Sequence, residues 1–278
     1  MALLDSSLKA VKKMIFENWT RYLIGSLSLV VFVLVWQLYA GYLHSHNVGY
    51  KDWIPYPKDV FVALVHSFTI RNVASGNLTM TDHIFASLKR ILGGFLVAVG
   101  LAVPLGLLMG TFRTVDAAAR PIVEVIRPIP PLAWIPIFIV VLGSLWGPII
   151  IVFLGIFFPV LLNVIFGVRS VDPILVDAAR TLGAGRRQLF PKVVLPFTLP
   201  YLMTGIKVGL GIGWMCIVAA EMVGNYGGGV GWYIFNEASN FQFDFTFAGM
   251  IVIAILGILT TGVAAQVEVR LYKRMGLK

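Results

Sequence analysis

A chain of 278 residues with 58% hydrophobic and only 13% charged residues and a mean hydropathy of +0.87 departs from soluble domains, in which about 25% of residues are charged. The composition excludes a soluble enzyme or nucleic-acid-binding domain. It predicts an all-α polytopic membrane protein with crossings of about 20 apolar residues each. The balance of 22 basic to 13 acidic residues then reads as positive charge held on the cytoplasmic face. The single cysteine, Cys216 in an apolar stretch, excludes a disulfide framework and a thiolate metal cluster.

Residues 1–22 hold Lys9, Lys12, Lys13 and Arg21 and read as a cytoplasmic segment. The uncharged run 23–43 is too long for a signal-peptide core and predicts a first transmembrane helix. Residues 44–90 carry Lys51, Asp52, Lys58, Asp59, Arg71 and Asp82 around Pro55 and Pro57, an external loop with one amphipathic stretch near its end. A second run, Ile91 to Phe112, returns the chain to Arg113 and Arg120. From Pro128 to Val168 there are 41 residues without formal charge. One helix of that length would reach about 61 Å, twice the hydrocarbon thickness, so the chain must reverse. Gly143, Gly147 and Pro148 mark the reversal, with a third span at 121–142 and a fourth at 148–167.

A polar loop over 169–195 holds Arg169, Arg180, Arg186, Arg187 and Lys192. An apolar run from Phe197 to Val223, a glycine-rich reversal and a last run from Phe245 to Val267 follow, and the tail 268–278 carries Arg270, Lys273, Arg274 and Lys278. The core 91–267 thus has five transmembrane helices. Of the 22 Lys and Arg, sixteen are counted inside, with Arg127 at the cytoplasmic start of the third span among them, five fall outside, and Lys207 alone lies well within an apolar run. This distribution predicts about six helices with both termini cytoplasmic.

Within the polar loop, Asp172 before Pro173 is a strong helix start, and Gly183 is a stop able to take the left-handed conformation. The pattern predicts a helix of about ten residues outside the membrane, a tight turn, and a second basic helix leading to Leu195-Pro196. Such an exposed rigid element suits docking to a protein, and Arg186 and Arg187 also favour the inner membrane surface. A DNA-reading helix-turn-helix has similar proportions, but membrane spans flank this pair. Gly224 to Gly231 lacks the lysine of a phosphate loop and reads as an external turn. His44 and His46 lack a third ligand nearby and read as solvated, so no metal site is expected.

Asp177-Ala178-Ala179, Gly183 four residues on, and Val193-Val194-Leu195-Pro196 after nine more resemble the EAA loop of binding-protein-dependent ABC transporter permeases. Asp177 replaces the family's usual glutamate and Val193 its isoleucine. Arg127-Pro128-Ile129-Pro130-Pro131-Leu132-Ala133-Trp134-Ile135-Pro136, Phe157-Phe158-Pro159, Leu195-Pro196 with Pro200 and Gly205, and Ala220-Glu221-Met222 resemble the nitrate, sulfonate, taurine and bicarbonate group. The resemblance implies the type I importer permease fold with a cytoplasmic coupling helix, in the cell inner membrane. It implies a translocation pathway for a small anion, shared with a second permease subunit, most simply another copy. It also implies two cytoplasmic ATPases and an external solute-binding protein as partners. Asp177, Ala178, Ala179, Arg180, Leu182, Gly183, Arg186 and Arg187 are then the ATPase-coupling residues. The chain has no phosphate-binding Gly-x4-Gly-Lys-Ser/Thr loop, so ATP belongs to the partner, and neither an enzymatic activity nor a cofactor is expected of this chain.

For the pathway, the prolines at 128, 130, 131 and 136 must break the third span, whose freed backbone groups face protein or water. Pro130, Pro131 and Trp134 are candidates there. Lys207 and Glu221 are ionisable groups within an apolar run, costly unless they face a cavity or a partner. They lie about 21 Å apart along a helix and cannot pair with each other. Lys207 either attracts an anion in transit or snorkels to the interface. The alternative function, a stand-alone secondary transporter or channel, leaves the docking helix without a purpose. An intramembrane hydrolase needs a nucleophile and base that the spans do not offer.

Overall fold

The structure, a computed structural model, describes residues 2–46, 53–71, 77–223 and 227–275, without the side chains of 2–22, Arg186, Arg187 and Arg274. Lys51, Asp52, Gly224 to Tyr226 and Lys278 therefore lie outside the described residues, as do the side chains of Lys9, Lys12, Lys13 and Arg21. The chain forms two compact units, Met1–Val65 and His66–Lys278.

The first unit is built on α1 (Ala2–Ser45), whose apolar part is Leu23–Ser45. Trp36 Nε1 donates to the Pro55 carbonyl at 3.0 Å, so the chain doubles back along the helix. His44 and His46 each place Nδ1 against a carbonyl one turn earlier, Ala40 at 2.8 Å and Tyr42 at 3.0 Å. Both imidazoles thus occupy themselves with the end of their own helix. Helix α2 (Pro57–Thr69) leads into the second unit.

Helix α3 (Met80–Thr111) starts eleven residues before the uncharged run. The Asp82 carboxylate accepts from the Thr79 backbone N–H at 2.9 Å and its hydroxyl at 2.8 Å, which satisfies the helix start. Arg90 sits inside the helix because its charge is matched internally by Glu221. A search for uncharged runs cannot see such compensation.

Three glycines of α3 fix its packing on α5 (Ile135–Arg169). A Cβ on Gly94, Gly106 or Gly110 would stand 2.6–2.8 Å from Val152, Val164 or Val168 respectively. Apolar burial gives no drive for association inside a bilayer, so contact of this closeness supplies it. Each pair is offset by the same 58 residues, so α3 and α5 run parallel. The chain between them must therefore cross back.

That return is not a single helix. It consists of α4 (Arg113–Ile126), a non-helical link through Arg127 to Pro130, a 3₁₀ turn over Pro131–Trp134, and the first part of α5. Prolines 128, 130 and 131 cause the interruption, since each removes a backbone donor and fixes φ. The reversal falls at Gly143, with φ 71° and ψ −176°, a conformation that L side chains resist. Beyond it, a Cβ on Gly147 would lie 2.9 Å from the Phe138 carbonyl oxygen. In a straight helix nine residues would separate these positions by about 13.5 Å. The stretch expected to make the third crossing is thus broken, and the long part of α5 follows where the fourth is expected.

After the loop come α6 (Pro173–Thr181), α7 (Arg186–Leu189) and a π turn over Phe190–Val194. Helix α8 (Leu195–Val223) then runs antiparallel to α5, with Gly205 against Asn163 and Gly155 against Cys216. Helices α9 (Val230–Ser239) and α10 (Phe243–Arg274) complete the unit. Trp214 Nε1 donates to Thr260 Oγ1 at 2.9 Å and Lys207 Nζ to Glu268 at 2.7 Å, an antiparallel register between α8 and α10. Val152, Ile156, Val160, Leu161, Val164 and Ile217 are wholly buried between the helices. Five stretches of helix are long and apolar enough to cross a membrane, and the one over Pro131–Arg169 contains the reversal.

Candidate functional site

The loop between α5 and α8 forms as its sequence chemistry dictates. Asp172 Oδ1 accepts from the Ile174 backbone N–H at 2.8 Å, and Pro173 fills the first helical position. At the other end Gly183 has φ 85°. Its N–H donates to the Arg180 carbonyl at 2.8 Å, and that of Ala184 to the Ala179 carbonyl at 3.0 Å, the paired bonds of a Schellman stop. Asp177 and Arg180 bridge at 3.3 Å on the exposed surface. Ile174, Ala178 and Leu182, four residues apart, place an apolar stripe outward, with Leu182 88% exposed. Ala179 is half-buried. Arg186 and Arg187 open α7.

A fixed mount holds this element. Arg169, three residues before Asp172, donates to the Met109 carbonyl at 3.2 Å and bridges Asp116 at 2.8 Å. Asp116 also bridges Arg120 at 2.9 Å. The ends of α3 and α5 and the start of α4 are thereby joined where the loop begins. The sequence names each of these charges, but only the parallel packing of α3 and α5 brings them together.

A cavity of about 410 Å³ lies between the α4–α5 link, α5 and α8, lined by Arg127, Pro131, Trp134, Phe158, Asn163 and Val208 among others. Pro131 and Trp134 line it, whereas Pro130, Lys207 and Glu221 do not. Pro130 caps the adjoining 3₁₀ turn. Arg127, which the sequence places at the head of the proline-rich motif and among the cytoplasmic charges but not in the pathway, is the basic group at this cavity. Its signal was its place beside the proline-broken segment.

Lys207 faces α10, where Glu268 also accepts from the Tyr272 hydroxyl at 3.0 Å. Glu221, buried, is the hub of another network. It accepts from Arg90 at 2.8 Å, from Ser87 at 2.8 Å and from the Gly231 N–H at 3.0 Å. Arg90 donates onward to the Gly228 carbonyl at 2.7 Å, Ser87 accepts from the Val230 N–H at 2.9 Å, and His83 accepts from the Gly229 N–H at 3.1 Å. Gly229 has φ 139°, and a Cβ there would stand 2.4 Å from the Glu221 carboxyl carbon. The hub therefore ties α3, α8 and the entry to α9. His83, Ser87 and Arg90 fall at helical spacing on one face of α3, a polar stripe that was readable in the sequence.

Residues 102–275 match the family described as "Binding-protein-dependent transport system inner membrane component". The chain is 39% identical over 254 residues to a putative ABC transporter permease protein of Methanocaldococcus jannaschii, covering 86% of this chain and 88% of that one. It is 38% identical over 182 residues to the taurine transport system permease protein of Escherichia coli, 65% of this chain and 66% of the relative. It is 32% identical over 266 residues to a putative aliphatic sulfonates transport permease protein of Bacillus subtilis, 95% and 92% of the two chains. Among solved structures, an amino acid ABC transporter crystallised with histidines matches with a TM-score of 0.51 at 16% identity, over 70% of this chain and 94% of that one. With its multi-pass helical fold, the chain belongs to the binding-protein-dependent ABC transporter permeases.

Proposed function

We propose that this chain lines the translocation pathway of an ATP-driven importer for a small anion of the sulfonate or nitrate kind. A second copy completes the pathway, two cytoplasmic ATPases dock on the α6 loops, and an external binding protein delivers the solute. Both chain termini face the cytoplasm, and the chain itself neither binds ATP nor requires a cofactor. The relatives named for taurine and aliphatic sulfonates support the solute class. The carrying observation is Arg127 at the cavity beside Pro131 and Trp134, since a planar guanidinium matches the oxygens of a small oxyanion.

The coupling follows from the mount described above. A load applied to the apolar stripe of α6 passes through Asp172 and Arg169 into the ends of α3, α4 and α5. Because α5 packs on both α3 and α8, the helices move as a body, the mode that alternating access requires.

The test is uptake by the reconstituted transporter. Arg127 is exposed, so Arg127→Gln leaves assembly and ATP hydrolysis intact. It lowers uptake of the anion by about tenfold or more, as expected for losing a charge-assisted bond of about 1.5–3 kcal/mol. Unchanged uptake kinetics would remove Arg127 from the pathway, and a delivered solute that is a cation or neutral sugar would remove the anion assignment.

A further inference from the structure

A second concavity lies on the opposite side of α8. It is about 680 Å³ in volume and runs between Leu88–Phe95 of α3, Met203–Leu210 of α8 and Leu256–Val267 of α10. Its lining is aliphatic and aromatic apart from Thr260, whose hydroxyl already donates to the Leu256 carbonyl and accepts from Trp214. Nothing in it could bind a polar solute. Along α10 it runs from Leu256 to Val267, about 17 Å, the reach of an acyl chain in a hydrocarbon core about 30 Å thick.

At Val267 this groove adjoins a second concavity of about 350 Å³ formed by Val267, Arg270, Leu271 and Lys273. Arg270 and Lys273 are exposed there. The neighbouring acid, Glu268, is neutralised by Lys207, which leaves the end of the groove positive. An apolar slot about 17 Å long on α10 that ends in two cations matches one ligand chemistry, an acyl chain joined to an anionic headgroup. We infer that the α3–α8–α10 groove with Arg270 and Lys273 is a binding site for an anionic phospholipid in the leaflet next to the α6 loop.

The site is separate from the Arg127 cavity, so its failure would leave the proposed transport function untouched. The complete transporter is reconstituted in phosphatidylcholine vesicles containing a trace of phosphatidylglycerol with a photoactivatable acyl chain. After irradiation, labelled peptides are mapped. The label concentrates on the α3, α8 and α10 segments of the groove and falls several-fold when the probe carries a phosphatidylcholine headgroup. Arg270→Gln and Lys273→Gln each lower groove labelling by about fivefold, the equivalent of about 1 kcal/mol per basic residue near the surface. Even labelling of all lipid-facing helices regardless of headgroup would overturn the proposal. A groove left unlabelled while the other outer surfaces react would overturn it too, since a protein helix then covers it.

Discussion

Gly183→Val abolishes transport while the transporter still assembles: this is the expected result of placing a β-branched residue at φ 85°. Nothing lies within 4 Å of a Cβ added at Gly183, so the fault is not crowding within the chain. It is the backbone, since a left-handed conformation costs an ordinary L-residue about 1–2 kcal/mol and a β-branched one more. The stop unwinds, the bonds from Gly183 and Ala184 back to Arg180 and Ala179 are lost, and Leu182 leaves its place on the apolar stripe. Binding-protein-stimulated ATP hydrolysis falls with uptake. Gly183→Asn serves as the control, because asparagine tolerates this conformation, and it retains most of the transport. Normal uptake by the valine variant at normal assembly would show that the geometry of this turn does not matter for coupling.

The second large effect concerns the buried pair. Arg90→Met leaves the Glu221 carboxylate without its cation in a site where that carboxylate is 1% exposed. Removing one partner of a buried ion pair costs about 3–5 kcal/mol, a large share of the stability of most domains. The variant should therefore lose most of its folded population, measured as monodisperse protein after heating in detergent. Because the loss comes from an uncompensated charge, Arg90→Met combined with Glu221→Leu recovers a large part of it. The recovery is incomplete, since Ser87, the Gly228 carbonyl and the Gly231 N–H lose their partners as well. If the double variant were as unstable as the sum of the single ones, the pair would not act as a unit.

The fold was legible wherever one local rule decided. Asp172, Pro173 and Gly183 define α6 within the sequence because caps and stops act over two to four residues. Gly143 was legible as the reversal because no uninterrupted helix of the surrounding length fits a bilayer. The broken third crossing was half legible: the prolines were visible, but that α4 and the 3₁₀ turn share the work depends on the packing of α3 beside α5. The networks were hidden for the same reason. Lys207 and Glu221 stood out as isolated charges only because Glu268 and Arg90 are 61 and 131 residues away. A scan for uncharged runs assigned Arg90 to the external loop and Glu268 to the tail. Arg127 was visible in its motif but not as a pathway residue, because a count of basic residues by side gives no indication of which one meets a cavity.

We propose α6 as the surface through which a cytoplasmic ATPase drives this permease. Leu182, 88% exposed, is the position to probe, and Cys216, the one native cysteine, is removed by Cys216→Ser to give a clean background. In the assembled transporter, Leu182→Cys treated with a short thiol-to-amine cross-linker is expected to join this chain to the ATPase subunit, with a yield that changes when ATP is bound. A residue that stays unlinked to the ATPase, or that reacts with a membrane-impermeant thiol reagent applied from outside intact cells, would contradict the account.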